Sequence, residues 1–407
     1  MRPFPKEPLP KILAFICFAC LLALPAVSRA ATPEQIRQRL GIYIWGRVPD
    51  LAAAASDAAR LGTRNAVRVF IGPWSDNPPY KIDLRPLAQK LTAPGYRKIF
   101  RDFPVIMLTA YDSFSYAREY GAVSSAEDHA RDRGVANATT TERKNGHAAH
   151  PSSMVAKDLA SMTAAEQRKV LSEVQLEFKQ FSFELSKLDR TFIVSNWEAE
   201  NDVPDAQDWP TFTRYLQARL DGIAAGRAEA RAQGFPARVL TAFEFTIVTG
   251  FQGRPSGLVE IGAKLRGVDY LSYSSWWSIG ADLDAEGVRK SFRYAIGLIR
   301  KFAQQASLPE RVIIGEFGEY WNEHPNAERL KALIEASIDE GAEYLFNWVL
   351  YEQPGERDEH GSDASHMGKY FLNHRLTPQG KAFQEWLAVT PPDKANAPAG
   401  INASGAK

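Results

Sequence analysis

Two short stretches of the sequence place glutamates where an apolar run ends. TFIVSNWE at 191–198 ends in Glu198, with Glu200 two residues later, and RVIIGEF at 311–317 carries Glu316. A carboxyl group can donate or accept a proton, and an ionised carboxylate can attack an electrophilic carbon. Both runs are typical of buried strands, where a carboxylate is costly unless it has partners. These glutamates are therefore candidates for acid–base or nucleophilic chemistry.

Further polar and aromatic side chains lie at the ends of other apolar runs. Indole and phenol rings suit sugars, because the apolar C–H faces of a sugar can stack on an aromatic ring. A pair of carboxyl groups beside such rings is the arrangement that cleavage of a glycosidic bond requires. Each residue taken alone is more often structural, so the hypothesis depends on their coincidence. The candidate substrate-binding residues are Trp45, Arg68, Asn196, Tyr273, Trp276 and Trp348.

The elements that must position these residues alternate along the chain. Short, nearly continuous apolar runs are separated by amphipathic helical patterns, as expected for parallel strands covered on both faces. This alternation predicts a single (β/α)8 barrel, in which the fourth and seventh strands face each other. A doubly wound open sheet is the alternative, but no glycine-rich phosphate loop follows the first strand. The eight predicted strands are 40–46, 65–72, 103–111, 191–198, 238–245, 268–275, 311–317 and 342–350.

One connection is unusually long. Residues 112 to about 162 join the third strand to its helix and are mostly polar. In a barrel this segment would lie at the carboxyl end of the strands, where it could wall a cleft. Its histidines, His129, His147 and His150, lack the tight spacing of a zinc site, so we expect no metal and no cofactor.

The two ends of the chain differ from its middle. Residues 1–30 combine early basic residues, an apolar run and a small-residue cleavage pattern, which predicts a signal peptide; a membrane anchor is the alternative. The polar, Pro/Ala/Gly-rich segment 389–407 is predicted to be disordered. The catalytic barrel should then span 31–388. The formal net charge of +1 gives no support to a nucleic-acid partner.

The constellation resembles clan A glycoside hydrolases, the retaining (β/α)8 enzymes that include family-5 cellulases and mannanases. IGEFG on the seventh strand closely matches their nucleophile motif, which assigns that role to Glu316. On the fourth strand they usually carry Asn-Glu, whereas this chain has Asn-Trp-Glu-Ala-Glu-Asn, so Glu198 and Glu200 compete for the role of acid/base. Glu198 is favoured because, counted from the start of its strand, it lies closer to the depth of Glu316.

The same resemblance assigns roles to other residues. Tyr273 resembles the sixth-strand tyrosine that holds the nucleophile, Trp348 the eighth-strand tryptophan under the −1 sugar, and Arg68 the second-strand arginine near the nucleophile. Glu316 would then be ionised, stabilised by Arg68 and Tyr273. Glu198 would carry the proton, kept there by burial or by the nearby negative charge.

The predicted function is that of a secreted or periplasmic retaining β-glycosidase acting on a polysaccharide or oligosaccharide, with no membrane association after signal cleavage. The long loop favours endo action, and we expect a monomer. The main alternative is a catalytically silent barrel that binds sugar in a polysaccharide export or matrix system. An inverting hydrolase is a third reading, and it requires a wider separation of the two carboxyl groups.

Overall fold

The computed structural model describes residues 31–45, 48, 50–72, 83, 85–113, 151–249, 255–279, 283–319, 327–352 and 367–388. The predicted signal peptide at 1–30, the predicted disordered tail at 389–407 and the three histidines of the long connection lie outside these residues. So does most of that connection, from 114 to 150.

Eight parallel strands form a closed barrel in which each strand pairs with its neighbours in chain order. The predicted (β/α)8 architecture is confirmed. The strands are shorter than the apolar runs suggest, and the fourth ends before Asn196. Their bounds are β1 Leu40–Ile44, β2 Ala66–Ile71, β3 Val105–Ala110, β4 Thr191–Ser195, β5 Val239–Phe245, β6 Tyr270–Ser274, β7 Val312–Phe317 and β8 Tyr344–Asn347.

Helices pack around the outside of the barrel. Several begin at a side chain that accepts a hydrogen bond from the first turn, as Thr163 does in a capping box with Glu166. Their bounds are α1 Pro33–Arg39, α2 Leu51–Leu61, α3 Leu87–Lys90, α4 Pro94–Asp102, α5 Pro151–Ser161, α6 Ala164–Ser186, α7 Ala199–Asp202, α8 Trp209–Ala232, α9 Gly257–Glu260, α10 Ala285–Ala306, α11 Ala327–Asp339 and α12 Pro378–Ala388. Within the described ranges, none of these helices combines the length and the apolarity needed to traverse a lipid bilayer.

The interior of the barrel changes character along the strands. One end is filled by a small apolar cluster that includes Ala66, Ala242 and Tyr270. Successive inward positions are two residues apart, because side chains alternate across a strand. Two residues beyond Ala66 and Ala242 come Arg68 and Glu244, so the apolar layer gives way to a charged layer toward the carboxyl ends. A larger apolar cluster lies between the strands and the surrounding helices.

Candidate active site

A buried ion pair lies at the centre of the charged layer. Arg68 on β2 donates from Nη2 to Oε1 of Glu244 at 2.7 Å and from Nη1 to Oε2 at 2.8 Å. Its Nε donates to Thr109 at 2.9 Å, and Nη1 also donates to the Gly315 carbonyl at 2.9 Å. Both side chains are fully buried. The guanidinium is thus held by β3, β5 and β7 together, which fixes its position below the mouth of the barrel.

Glu316 projects into the mouth just above this pair. A register shift between β6 and β7 pairs it with Ser274, and it is 2% exposed. Its Oε1 lies 3.4 Å from Nη1 of Arg68, and its Oε2 accepts a bond from Trp276 Nε1 at 3.3 Å. Burial raises the pKa of Glu316 from 4.5 to about 7, although the Arg68 charge opposes this rise. Glu244 also works against ionisation of Glu316, whereas the Trp276 hydrogen bond favours it.

Glu198 lies directly against Glu316. It occupies the residue before α7, in the turn that follows β4, and it is 2% exposed. Its carboxyl group accepts bonds from the Ser274 hydroxyl and the Asn201 side-chain amide. Ser274 is also the register partner of Glu316 on β7, and a side-chain hydrogen bond from Glu198 lowers the pKa of Glu316. The structure therefore brings together two carboxyl groups from opposite sides of the barrel, as the sequence predicts.

Glu200 lies only two residues further along, yet it has different partners. Its Oε2 accepts from the backbone N–H of Thr246 at 2.8 Å, and its Oε1 accepts from the N–H groups of Ile247 and Gly257 at 3.1 and 2.7 Å. The Thr246 hydroxyl adds a fourth bond at 3.2 Å. Burial raises the pKa of Glu200, and the backbone donors oppose the rise. Glu200 thus ties the segment after β5 to α7.

Aromatic side chains form one wall of the mouth. Trp348 follows β8, and its ring centroid lies 4.7 Å from that of Trp45 and 5.2 Å from that of Tyr43. Trp276 lies edge-on to Trp348 at 6.5 Å. The peptide bond between Trp348 and Val349 is cis. Three predicted substrate-binding residues therefore stand together beside the paired carboxyl groups.

Tyr273 does not contact Glu316. Its hydroxyl bonds to Ser278 at 2.6 Å, and its ring stacks on Phe245 in the outer apolar cluster. Ser272 and Ser274 occupy the inward positions of β6 instead, because side chains alternate along a strand. The expected contact between Tyr273 and Glu316 is therefore not formed. Trp276 donates a hydrogen bond to Glu316 instead.

Asn196 supports the site from below. Its Oδ1 accepts from the Glu244 N–H at 3.0 Å, and its Nδ2 donates to the Glu244 carbonyl at 2.9 Å. A second bond from Nδ2 goes to the Trp197 carbonyl. Asn196 therefore joins the end of β4 to β5, and in this structure it bonds to neither paired carboxyl.

Glu244 is the residue of the site that the sequence reasoning missed. A signal was present, since Glu244 is a lone charge inside the apolar run VLTAFEF, as Arg68 is inside AVRVFI. Two isolated opposite charges in buried strands predict a pair, because neither is tolerated alone in an apolar interior. Glu319, a carboxylate just beyond the end of β7, is paired with Arg329 at 3.0 Å. Among the described residues, no group of three or more His, Cys, Asp or Glu side chains could hold a metal ion.

Comparisons with known proteins place this fold. No protein-family model and no curated protein matches the sequence. Among solved structures, a GH5_18 protein from Streptomyces cattleya in complex with GlcNAc is 18% identical with a TM-score of 0.52, over 89% of this chain and 82% of that one. A GH5-4 broad-specificity endoglucanase from Clostridium longisporum is 12% identical with a TM-score of 0.53, over 88% and 97%.

A third match is the exo-β-1,4-mannosidase Op5Man5 from Opitutaceae bacterium strain TAV5, at 13% identity and a TM-score of 0.49. It covers 86% of this chain and 59% of the mannosidase chain, so this chain spans about three fifths of that protein's length. The first two likenesses define the fold. The chain is a (β/α)8 barrel similar to those of GH5 enzymes, with two glutamates in contact at the carboxyl ends of its strands.

Proposed function

We propose that this protein is a glycoside hydrolase that cleaves β-glycosidic bonds with net retention. The observation that carries the proposal is the contact between Glu198 and Glu316 at the mouth of the barrel. The two carboxyl groups come from the ends of β4 and β7, beside a wall of indole rings that suits a sugar. The fold of the structural neighbours supports the same class of activity.

Glu316 is the nucleophile in this proposal. Trp276 donates to its Oε2, and the positive charge of Arg68 lies 3.4 Å from Oε1. Both interactions stabilise the ionised form, which attacks the anomeric carbon. Glu198, whose carboxyl is held by Ser274 and Asn201, donates its proton to the departing oxygen.

The second half of the reaction reverses the role of Glu198. Once the leaving group has departed, Glu198 is ionised and can remove a proton from a water molecule. That water attacks the glycosyl-enzyme, the bond to Glu316 breaks, and the sugar is released with its original anomeric configuration. Both glutamates return to their starting protonation states.

The separation of the carboxyl groups favours retention over inversion. An inverting enzyme keeps its carboxyls about 6.5–9.5 Å apart to admit a water molecule between them and the sugar. Because Glu198 lowers the pKa of Glu316 through a side-chain hydrogen bond, we infer that the two carboxyl groups lie closer together than an inverting site requires. Retaining sites, at about 5–5.5 Å, need only a small adjustment from this arrangement.

For the substrate we propose a β-linked polysaccharide or oligosaccharide. One structural neighbour was solved with GlcNAc, and another is described as a broad-specificity endoglucanase. Because the Trp45–Trp348–Trp276 wall extends along the mouth, it offers stacking surface for more than one sugar ring. We further propose that the protein acts as a monomer, by endo cleavage.

The test is a hydrolysis screen of the parent against β-glucans, mannans and bacterial exopolysaccharides, followed by Glu316→Gln and Glu198→Gln on every substrate cleaved. We expect Glu316→Gln to reduce kcat by at least about 10⁴-fold. Glu200→Gln is the matched control, because it makes the same chemical change two residues from Glu198. Retention is read from the anomer first released, by NMR.

Two outcomes would contradict the proposal. If the parent binds a glycan from the panel and cleaves none, a silent sugar-binding barrel is the better description. If a substrate is cleaved and neither Glu316→Gln nor Glu198→Gln lowers the rate, the site lies elsewhere on the molecule.

We also propose that the protein is secreted or periplasmic, on the strength of the signal-like sequence at 1–30. Expression of the full chain in a bacterial host, followed by fractionation and intact-mass measurement, tests this. A product outside the cytoplasm that begins at Ala31 is expected. An uncleaved product that stays in the cytoplasm contradicts the proposal.

A further inference from the structure

The guanidinium of Arg68 is more fully engaged by Glu244 than by the proposed nucleophile. An arginine has five N–H donors in a fixed plane, two of them on each terminal nitrogen. At Nη1 both hydrogens are already used, one for Glu244 at 2.8 Å and one for the Gly315 carbonyl at 2.9 Å. The 3.4 Å approach of Nη1 to Glu316 is therefore an electrostatic contact without a dedicated hydrogen bond. Among the described residues, no N–H or hydroxyl donates to Oε1 of Glu316.

Space for Glu244 depends on a glycine in the strand that carries Glu316. A Cβ added at Gly315 would lie 2.0 Å from Glu244 Oε2 and 2.3 Å from the Ser272 hydroxyl. Ser272 donates to the same Oε2 at 2.8 Å. Asn196 fixes the Glu244 backbone through both its N–H and its carbonyl. Three residues therefore hold the Glu244 carboxylate against Arg68: Gly315 of β7, Ser272 of β6 and Asn196 after β4.

The mouth of the barrel contains more carboxyl groups than positive charges. Arg68 and Glu244 form a neutral pair, so no net positive charge remains to balance both Glu316 and Glu198. Burial disfavours a carboxylate without a full counter-charge, and two adjacent carboxylates repel each other. Burial raises the pKa of Glu316 to about 7, Arg68 opposes the rise, and Glu244 adds to it.

Among the described residues, the titratable groups with the largest effects on Glu316 lie in one layer. The charged and titratable side chains that face Glu316 are Tyr43 from β1, Arg68 from β2, Glu198 from the turn after β4, and Glu244 from β5. Asp202 of α7 acts on Glu244, whose pKa is raised chiefly by burial and lowered by Arg68. Of the groups named here, Arg68 alone is cationic.

We propose that Glu244 is a positioning residue that engages the Arg68 guanidinium, so that Glu316 and Glu198 keep one shared proton at neutral pH. The inference rests on the proposed function, since a retaining reaction starts from one protonated and one ionised glutamate. Glu244 does not touch the reacting atoms. It sets how strongly Arg68 favours the ionised form of Glu316.

The test is Glu244→Gln, which keeps the shape of the side chain and removes its charge. The first readout needs no substrate: a ¹³C NMR titration of protein labelled at the glutamate carboxyl carbons, with Glu316→Gln and Glu198→Gln used to assign the pair. We expect the titration of the pair to move down by at least about one pH unit, because an unopposed guanidinium favours its ionised form. On a cleaved substrate, the acidic limb of the kcat/KM profile should move in the same direction.

Glu319→Gln is the matched control, since it neutralises another buried carboxyl that is paired with an arginine, Arg329. It should leave the titration of the pair within about 0.3 pH units of the parent. Ser272→Ala removes a hydrogen bond to Glu244 without changing the charge, and we expect a shift smaller than that of Glu244→Gln.

A titration of the pair that is unchanged in Glu244→Gln overturns the inference, whatever happens to the rate. If Glu244→Gln does not fold, Glu244→Asp decides, because the shorter side chain cannot keep both bonds to Arg68 and should lower the midpoint by about half a unit. If no substrate is found, the NMR result still stands by itself. A missing activity therefore counts against the proposed function and not against this inference.

Discussion

Glu198 and Glu200 are separated by one residue and are both buried, but different groups donate hydrogen bonds to them. Glu200 accepts hydrogen bonds from the backbone N–H groups of Thr246, Ile247 and Gly257 and from the Thr246 hydroxyl. Glu198 accepts bonds from two side chains, Ser274 and Asn201, and faces another carboxyl group. Burial and residue type alone do not separate the two glutamates, whereas their hydrogen-bond donors do.

Two glutamates that are close in sequence can therefore have different roles: Glu200 stabilises the fold, and Glu198 is available for the reaction. A carboxylate satisfied by fixed backbone donors strengthens the structure and is unavailable to a substrate. A carboxyl that contacts a second carboxyl is a strained arrangement, retained where the protonation state must change during a reaction.

Of the variants that test the contrast between Glu198 and Glu200, Glu198→Gln should have the largest effect, and that effect should fall on the rate of the reaction. Loss of a general acid should lower kcat/KM by about 10²–10⁴-fold on a substrate whose leaving group needs a proton. An aryl glycoside with an acidic leaving group should lose much less in kcat/KM, because its departure needs no protonation. Kinetics on the two substrate types measure the ratio. An equal loss on both types would argue that Glu198 is not the acid.

Glu200→Gln should act on stability instead. The amide replaces an oxygen with an N–H₂ group that cannot accept, which leaves buried backbone donors unpaired at about 1–3 kcal/mol each. We expect the free energy of unfolding to fall by about 2–4 kcal/mol in urea titrations. The kcat of the folded fraction should stay within a few-fold of the parent. Loss of catalysis as deep as that of Glu198→Gln, at equal folded fraction, would end the distinction between the two glutamates.

Gly257→Ala tests the same hydrogen bonds of Glu200 by changing one of the donor residues. A Cβ at this position would lie 2.6 Å from Oε1 of Glu200, a contact that the carboxyl cannot relieve without losing its backbone donors. Overpacking of this kind costs about 1–3 kcal/mol. The measurement is again urea unfolding, with Gly297→Ala on the open face of α10 as control, since nothing lies within 4 Å of its Cβ position.

The smallest expected effect concerns pH and Glu316, the partner of Glu198. Burial raises its pKa from 4.5 to about 7 in the folded protein. Between these values the unfolded chain releases a proton that the folded protein still holds, so the stability present below pH 4.5 is lost as pH rises through 7. Glu316→Gln should remove this loss, so the free energy of unfolding of the variant should depend less on pH between 4.5 and 8. Thermal unfolding at pH 4.5 and 8 compares the two proteins, and equal pH dependence would contradict the assignment.

The barrel is predictable because its strands are buried on both faces and read as continuous apolar runs. The ends of the strands are less predictable. The run TFIVSNWE reads as one strand to Glu198, but the chain leaves the sheet after Ser195 and Glu198 precedes a short helix. Depth counted along the strand therefore does not apply to Glu198 and Glu200. What separates them is the hydrogen bond from Gly257, the first residue of α9 and more than fifty residues away, to Glu200.

The predicted contact between Tyr273 and Glu316 was wrong for a related reason. Resemblance to a family supplies a residue type at a strand, but the inward face of β6 is set by pairing with β7, where the register shifts beside Tyr273. Glu244 is not a strand-end residue, because it lies inside β5. Isolated opposite charges in apolar runs point to Glu244 as the partner of Arg68, which the sequence already offered as a candidate.

The bond from Trp276 Nε1 to Glu316, at 3.3 Å, has a practical consequence. Indole fluorescence responds to the ionisation of a carboxyl group bonded to the ring nitrogen and to any solute that stacks on the ring. Trp45, Trp276 and Trp348 are three of the nine tryptophans in the chain and surround the same opening. The protein therefore contains its own optical probe, and emission recorded during a pH or glycan titration can report on this opening without a label.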